Sequence, residues 1–163
     1  KWSADITYIH TEKDGWTYLA SVEDLYSRKI IGWAFGKTMD AELAKKALKN
    51  ASLNIKKTKG IILQTDLGSQ YTSNIFEEYL AELKIRHSYS RKGCPYDNSC
   101  IESFHSILKK EEVNLKKYKD FKEAYNAIFE FIEAWYNRER IHSCLNYKTP
   151  DEVHSEDEES FAA

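Results

Sequence analysis

The strongest constraint on this chain is a change in the period of its apolar residues near Asp40. Before that point the text reads as strands. Residues 1–10 carry Ile6, Tyr8 and Ile9, and residues 16–24 carry Trp16, Tyr18, Leu19 and Val22. These β-branched and aromatic types suit a pleated surface. Between them, Thr11-Glu12-Lys13-Asp14-Gly15 ends in the Asp-Gly of a turn. Residues 29–36 make a third strand after a polar link at Ser27-Arg28. Three strands at hairpin spacing predict an antiparallel meander.

Beyond Asp40 the spacing becomes helical. Asp40 caps a helix whose apolar residues Ala44, Ala47, Leu48 and Ala51 share one face. Gly60 breaks the chain, and Ile61-Ile62-Leu63 is a short apolar strand. Ser73 caps a second helix bearing Phe76, Tyr79, Leu80 and Leu83, and residues 85–89 form a last short strand. Residues 97–110 predict a third helix. Asp120 opens a fourth, with Phe121, Tyr125, Ile128, Ile132 and Trp135 inward. A meander followed by αβ units implies an α/β fold: a mixed sheet with helices on its faces.

At 163 residues the chain suits one domain, and 13% aromatic content argues against disorder. No apolar run approaches the ~20 residues of a membrane helix, so no membrane partner is expected. Cys94, Cys100 and Cys144 are an odd number without a CxxC, which favours a reducing, cytoplasmic setting over a disulfide framework. Zinc held by Cys94, Cys100 and His105 would match no common spacing. The net charge of −2 conceals an asymmetry. Residues 151–163 hold six acids and no Lys or Arg, so the rest carries 24 basic against 20 acidic residues, a net +4. A basic body of this kind is compatible with a polyanion, without requiring one. The boundaries expected are a core over residues 1–150 and an acidic, disordered tail over 151–163. The chain does not start with Met, and we expect it to be part of something longer.

Three carboxylates occupy awkward places. Asp5 sits mid-strand, where Asp is depleted. Asp66 follows an apolar strand, at the end where open α/β sheets bind ligands. Glu102 lies early in the third helix, on the polar side that also carries Asn98, His105, Ser106 and Lys109. Each has a plainer explanation: a lysine partner for Asp5, an Asx turn into Gly68 for Asp66, and a Ser99-x-x-Glu102 capping box. Brought together they would repel, and divalent cations would remove that cost. Two such ions can serve the attacking and leaving oxygens of a phosphoryl displacement.

Sixty residues separate Asp5 from Asp66, and thirty-five separate Asp66 from Glu102. That spacing resembles the D,D-35-E signature of the retroviral-integrase-like catalytic core of bacterial insertion-sequence transposases. The flanking blocks agree. They are Trp2-x-x-Asp5-Ile6-Thr7-Tyr8-Ile9, Asp66-x-Gly68-Ser69-Gln70-Tyr71, and Gly93-x-Pro95-Tyr96-Asp97-Asn98-x-x-Ile101-Glu102-Ser103-Phe104. A closing block runs Tyr136-Asn137-x-x-Arg140-x-His142. Ala4, Leu67 and Gln64-Thr65 depart from residues usual in the family, but none is an expected metal ligand.

The resemblance implies an RNase H-like fold with a five-stranded mixed sheet, the antiparallel meander plus parallel strands. It implies that Asp5, Asp66 and Glu102 are catalytic and hold two Mg²⁺ or Mn²⁺ ions. The activity implied is cleavage at transposon ends and strand transfer by 3′-hydroxyl attack, by a homo-oligomer assembled on DNA. Arg91, Lys92, Lys109, Tyr96 and Asn98 are the expected DNA contacts. An RNase H-type nuclease and a non-catalytic DNA-binding module on the same fold remain alternatives. No base-reading motif is present, so recognition of transposon ends is expected to reside in a missing N-terminal region.

Overall fold

The computed structural model describes residues 1–53, 55, 58–90 and 98–162, with the backbone alone for 157–162. Strands β1 (Trp2–Thr11), β2 (Gly15–Asp24) and β3 (Ile30–Gly36) form the predicted meander. Helix α1 (Ala41–Leu53), strand β4 (Ile62–Thr65), helix α2 (Asn74–Leu83) and strand β5 (Arg86–Tyr89) follow. Helices α3 (Ser99–Glu111), α4 (Phe121–Phe129) and α5 (Pro150–Ala162) complete the chain.

The sheet has five strands in the order β3-β2-β1-β4-β5. β1 pairs antiparallel with β2 and parallel with β4, so it is the central strand and the seam between the two halves. The mixed sheet expected from the sequence is the one observed.

Alternation along the strands divides the core in two. On one face Trp2, Ala4, Ala20 and Val22 meet Leu43, Ala47, Leu48 and Ala51 of α1, with Phe76 and Leu80 of α2. On the other, Ile9, Leu19, Ile30 and Phe35 meet Ile101, Phe104 and Leu108 of α3, with Ala124, Ile128 and Ile132. Ile101, Phe104 and Leu108 are fully buried, each gaining about 1.5–3 kcal/mol from leaving water. Helix α1 approaches β3 closely at Gly32, where an added Cβ would lie 2.3 Å from the Ala51 nitrogen.

The predicted caps are present. Asp40 accepts from the Leu43 amide, Ser73 from Phe76 and Asp120 from Glu123. Helix α4, however, runs into a π-helical stretch, Glu130–Tyr136. The wider turn rotates the helix face. Tyr136 is thereby buried and Trp135 exposed; Tyr125, which precedes the stretch, is exposed as well.

The acidic tail also departs from expectation. It holds helix α5, which begins at Pro150. Thr149 and Glu152 cap it reciprocally: the Glu152 amide donates to Thr149 Oγ1, and the Thr149 amide to Glu152 Oε2. Pro150 occupies the first helical position, where its missing N–H costs nothing. The carboxylates of Asp151 and Glu152 favour the helix N-terminus. Asp151 pairs with Lys29 at 2.7 Å, docking the first turn against the β2–β3 link.

Candidate active site

Asp5 lies mid-way along β1, opposite Ser21 of β2. Its face of the strand also carries Ser3 and Thr7, and it looks towards α3. The parallel pairing of β1 with β4 aligns Trp2 with Leu63 and Ser3 with Gln64. Two residues further on, that register brings Asp5 level with Asp66, the first residue past the end of β4.

The Tyr71 hydroxyl is fully buried and has no hydrogen-bond partner among the described residues. Its pKa is driven far above the ordinary phenol value, first by burial and then by the negative charges of Asp5 and Asp66.

Asp66 makes the Asx turn that its sequence allows, with Oδ1 accepting from the Gly68 amide at 2.9 Å. An added Cβ at Gly68 would sit 2.9 Å from that same oxygen, so a glycine is needed to let the carboxylate close over the turn. The turn occupies one oxygen and fixes the carboxyl's orientation. Asp66 is exposed beyond the strand end.

Helix α3 crosses above. Asn98 is its N-cap residue, without a side-chain capping bond, and the helix already includes Ser99. The capping-box explanation of Glu102 is therefore not the geometry observed. Glu102 is exposed one helical turn before His105. His105 is buried, with Nδ1 3.5 Å from Asp5 Oδ2 and no partner for Nε2 among the described residues. The partner of Asp5 is thus a histidine of α3, not a strand lysine. Glu102, His105, Ser106, Lys109, Lys110 and Asn114 line an open groove of about 430 Å³.

The convergence of the three acids is partial. Asp5 stands mid-strand, level with Asp66 just past the end of β4, and Glu102 stands on the helix wall. Among the described residues no three His, Cys, Asp or Glu side chains stand close enough to hold a metal ion.

The expected DNA contacts divide as well. Asn98 is buried, and its Oδ1 accepts from Ser3 Oγ at 2.9 Å. It ties the start of α3 to β1. Lys109 is half-buried, with Nζ 4.1 Å from the centre of the Tyr8 ring. Arg91, Lys92 and Tyr96 lie outside the described residues, as does Cys94 of the zinc alternative. The sequence alone does not single out Tyr71. Its signal is its place five residues after Asp66, on the turn into α2. His105 had been placed on the polar face of α3, but its contact with Asp5 was visible only in three dimensions.

Comparison with known proteins gives a consistent picture. Two overlapping family profiles, each described as integrase core domain, match residues 1–95 and 83–150. The transposase of insertion sequence element IS904 from Lactococcus lactis is 42% identical over 149 residues, covering 91% of this chain and 58% of that protein. Transposase InsF of insertion sequence IS3A from Escherichia coli is 41% identical over 152 residues, covering 93% and 52%. The chain thus spans about half the length of the curated relatives it matches.

Among solved structures, the catalytic core domain of BIV integrase superposes with a TM-score of 0.70 at 17% identity, covering 99% of this chain and 97% of that one. The HTLV-2 integrase catalytic core domain, solved in complex with magnesium in a trimeric form, gives 0.67 at 20% identity and 94% of both chains. At such identities the likeness establishes the fold. No helix among the described residues is long and apolar enough to cross a membrane.

Proposed function

Because this chain belongs to the integrase core domain family and has the RNase H-like fold, we propose that it is the catalytic core of a DNA transposase, a DDE-type polynucleotidyl transferase. The observation that supports the reading is the parallel β1–β4 register, which sets Asp5 of the central strand level with Asp66 just past the carboxyl end of β4. Asp5, Asp66 and Glu102 are the catalytic acids.

The donor set fits the expected cofactor. Carboxylate oxygens are what Mg²⁺ and Mn²⁺ prefer, and two acids level on neighbouring strands repel unless a cation lies between them. Asp5, Asp66 and Glu102 would hold two such ions. When bound, these supply Lewis acidity at the attacking and leaving oxygens of a phosphodiester.

The chain's own groups prepare that site. His105 Nδ1 steadies Asp5 Oδ2, and the Gly68 amide steadies Asp66 Oδ1. Tyr71 keeps its proton throughout the neutral range, so it adds no charge beside the acids. Lys109 and Lys110, on the groove that Glu102 lines, attract the phosphates of the strand. In the first step water attacks a phosphorus at the transposon end, and the P–O bond to the 3′ oxygen breaks, leaving a 3′-hydroxyl. In the second that hydroxyl attacks a phosphodiester of another duplex, and the new P–O bond replaces the broken one. A homo-oligomer assembled on DNA brings the two ends together.

The test uses the full-length protein that carries this chain, labelled transposon-end DNA and Mn²⁺. Nicking that leaves a 3′-hydroxyl, followed by joining, is expected, and Asp66→Asn should abolish both without changing the melting temperature. Cleavage of an RNA–DNA hybrid alone would move the reading to an RNase H-type nuclease. DNA binding without cleavage in the wild type would move it to a non-catalytic module.

A further inference from the structure

On the side of α3 away from the groove of Glu102 the fold holds a second polar space, which the catalytic reading does not use. A cavity of about 200 Å³ is lined by Glu23 of β2, Arg28 of the β2–β3 link, Cys100 and Ser103 of α3, and His142 and Cys144 from the segment after the π-helical stretch. That volume is several times the roughly 30 Å³ share of one water in the liquid. Ser103 and Cys144 are exposed at its rim, and Arg28 and Cys100 are half-buried.

Two polar groups below the rim lack partners. Glu23 is 1% and His142 8% exposed, and neither Glu23 Oε2 nor His142 Nε2 has a hydrogen-bond partner among the described residues. Buried polar atoms are seldom left in that condition, because each has given up its water and gained nothing in return. Arg28 adds a charge without a counter-charge. Its guanidinium donates to the Cys100 sulfur, and none of the ion pairs among the described residues includes it.

The charge states decide what fits. Burial pushes Glu23 up to about 8 and His142 down to about 4. At pH 7 both are neutral, so Glu23 has a proton to donate and His142 can donate through Nε2. Cys100 sits in the first turn of α3, where the helix dipole is positive. A divalent cation would meet Arg28 and no ionised ligand. An anion would meet a guanidinium fork, a hydroxyl at Ser103, and two buried donors in need of an acceptor.

We propose that this cavity binds a small free oxyanion, a carboxylate or an inorganic phosphate, between Arg28, Glu23 and His142. The guanidinium takes two of its oxygens side by side, and Glu23 and His142 complete their hydrogen bonding on it. Both acceptor-seeking groups lie too deep for a phosphate within a DNA strand, so the ligand is a free ion.

The experiment titrates the full-length protein at pH 7 in EDTA with sodium acetate and, separately, with sodium phosphate, using sodium chloride at equal ionic strength as the reference. Calorimetry should show one saturable site per chain for at least one oxyanion, with a Kd of about 1 mM or tighter. Acetate alone would assign a carboxylate ligand, and phosphate alone a phosphate. Arg28→Asn removes the charge, and Asn tolerates the left-handed φ of 63° found there. It should weaken binding about tenfold or more, whereas Lys109→Ala, on the other side of α3, should leave it unchanged. A second measurement needs no variant. The bound oxyanion should slow alkylation of Cys100 by iodoacetamide several-fold, read by peptide mass spectrometry, and chloride should not. Absence of saturable binding by both ions would overturn the proposal, and the cavity would then hold water alone. So would binding that a folded Arg28→Asn variant retains, binding lost in Lys109→Ala, or Cys100 alkylation that saturating oxyanion does not slow.

Discussion

Two sets of acids lie beneath the same helix and have opposite fates. Asp5 pairs with Ser21 and Ser3 pairs with Glu23 across β1 and β2, so Asp5 and Glu23 project from one face of the sheet towards α3. On one side of α3, Glu102, His105 and Ser106 border an open groove beside Asp5. On the other, Ser99, Cys100 and Ser103 help close a cavity of about 200 Å³ over Glu23, with Arg28, Tyr136 and His142. Glu23 is almost wholly buried, and one of its oxygens has no partner among the described residues. Burial pushes its pKa up to about 8, despite the nearby Arg28. His142 is pushed down to about 4, by burial and then by Arg140 and Arg28. Both groups are neutral at pH 7, and a neutral acid attracts no cation. Water access, not residue type, separates the sealed carboxyl from the solvated ones.

The largest effect should come from the open side. Asp5→Asn in the full-length protein should lower DNA cleavage with Mn²⁺ by a factor of about 10³ or more, roughly 4 kcal/mol of transition-state stabilisation. Stability should stay nearly unchanged. If Glu23→Gln abolished cleavage instead, and Asp5→Asn did not, the contrast between the two sides would break.

Glu23→Gln should act on stability through pH. The folded pKa of Glu23 lies above its unfolded value of 4.5, so the folded state binds more protons between pH 4.5 and 8. Wild-type stability from this group is complete below about pH 4.5 and is lost as pH rises through 8. The glutamine cannot ionise. Between pH 4 and 9 its stability relative to wild type should rise by on the order of 4 kcal/mol, read from urea unfolding at the two ends. A flat difference would mean that Glu23 is hydrated.

His142 gives the opposite slope. Its folded pKa lies below the unfolded 6.5, so its contribution is present above pH 6.5 and lost as pH falls through about 4. His142→Gln should flatten the acid limb of the stability curve by about 2 kcal/mol. The smallest effect is expected away from both acid sets. Thr149→Ala removes one side of the α5 capping box and should cost about 1 kcal/mol, seen as a lowered melting temperature with cleavage intact.

Much of the fold was legible because its signals are local. The Asp40, Ser73 and Asp120 caps each satisfy an amide three residues away, so the sequence alone places them. The same rule applied to Thr149-Pro150-Asp151-Glu152 would have found α5, but its acidic composition suggested disorder. The π-helical stretch after Phe129 left no comparable mark, since its wider turn depends on how Tyr136 packs against Phe104, 4.8 Å away between centroids. Of the candidate site, Asp5 and Asp66 stood out as acids in strand settings. Glu23 sits in a strand too, and only its burial under α3 distinguishes it.

The sequence alone determined the order of elements, the helix starts, and the three acidic positions with their flanking motifs. Each of those depends on neighbours within a few residues or on matching text. The tertiary structure decided which acids meet and which are sealed. The β1–β4 register carries Asp5 to Asp66, and the path of α3 leaves one carboxyl in water and buries another. Pairing and burial involve residues far apart in the chain, and the free energy of a charge depends on that surrounding medium more than on the residue that bears it.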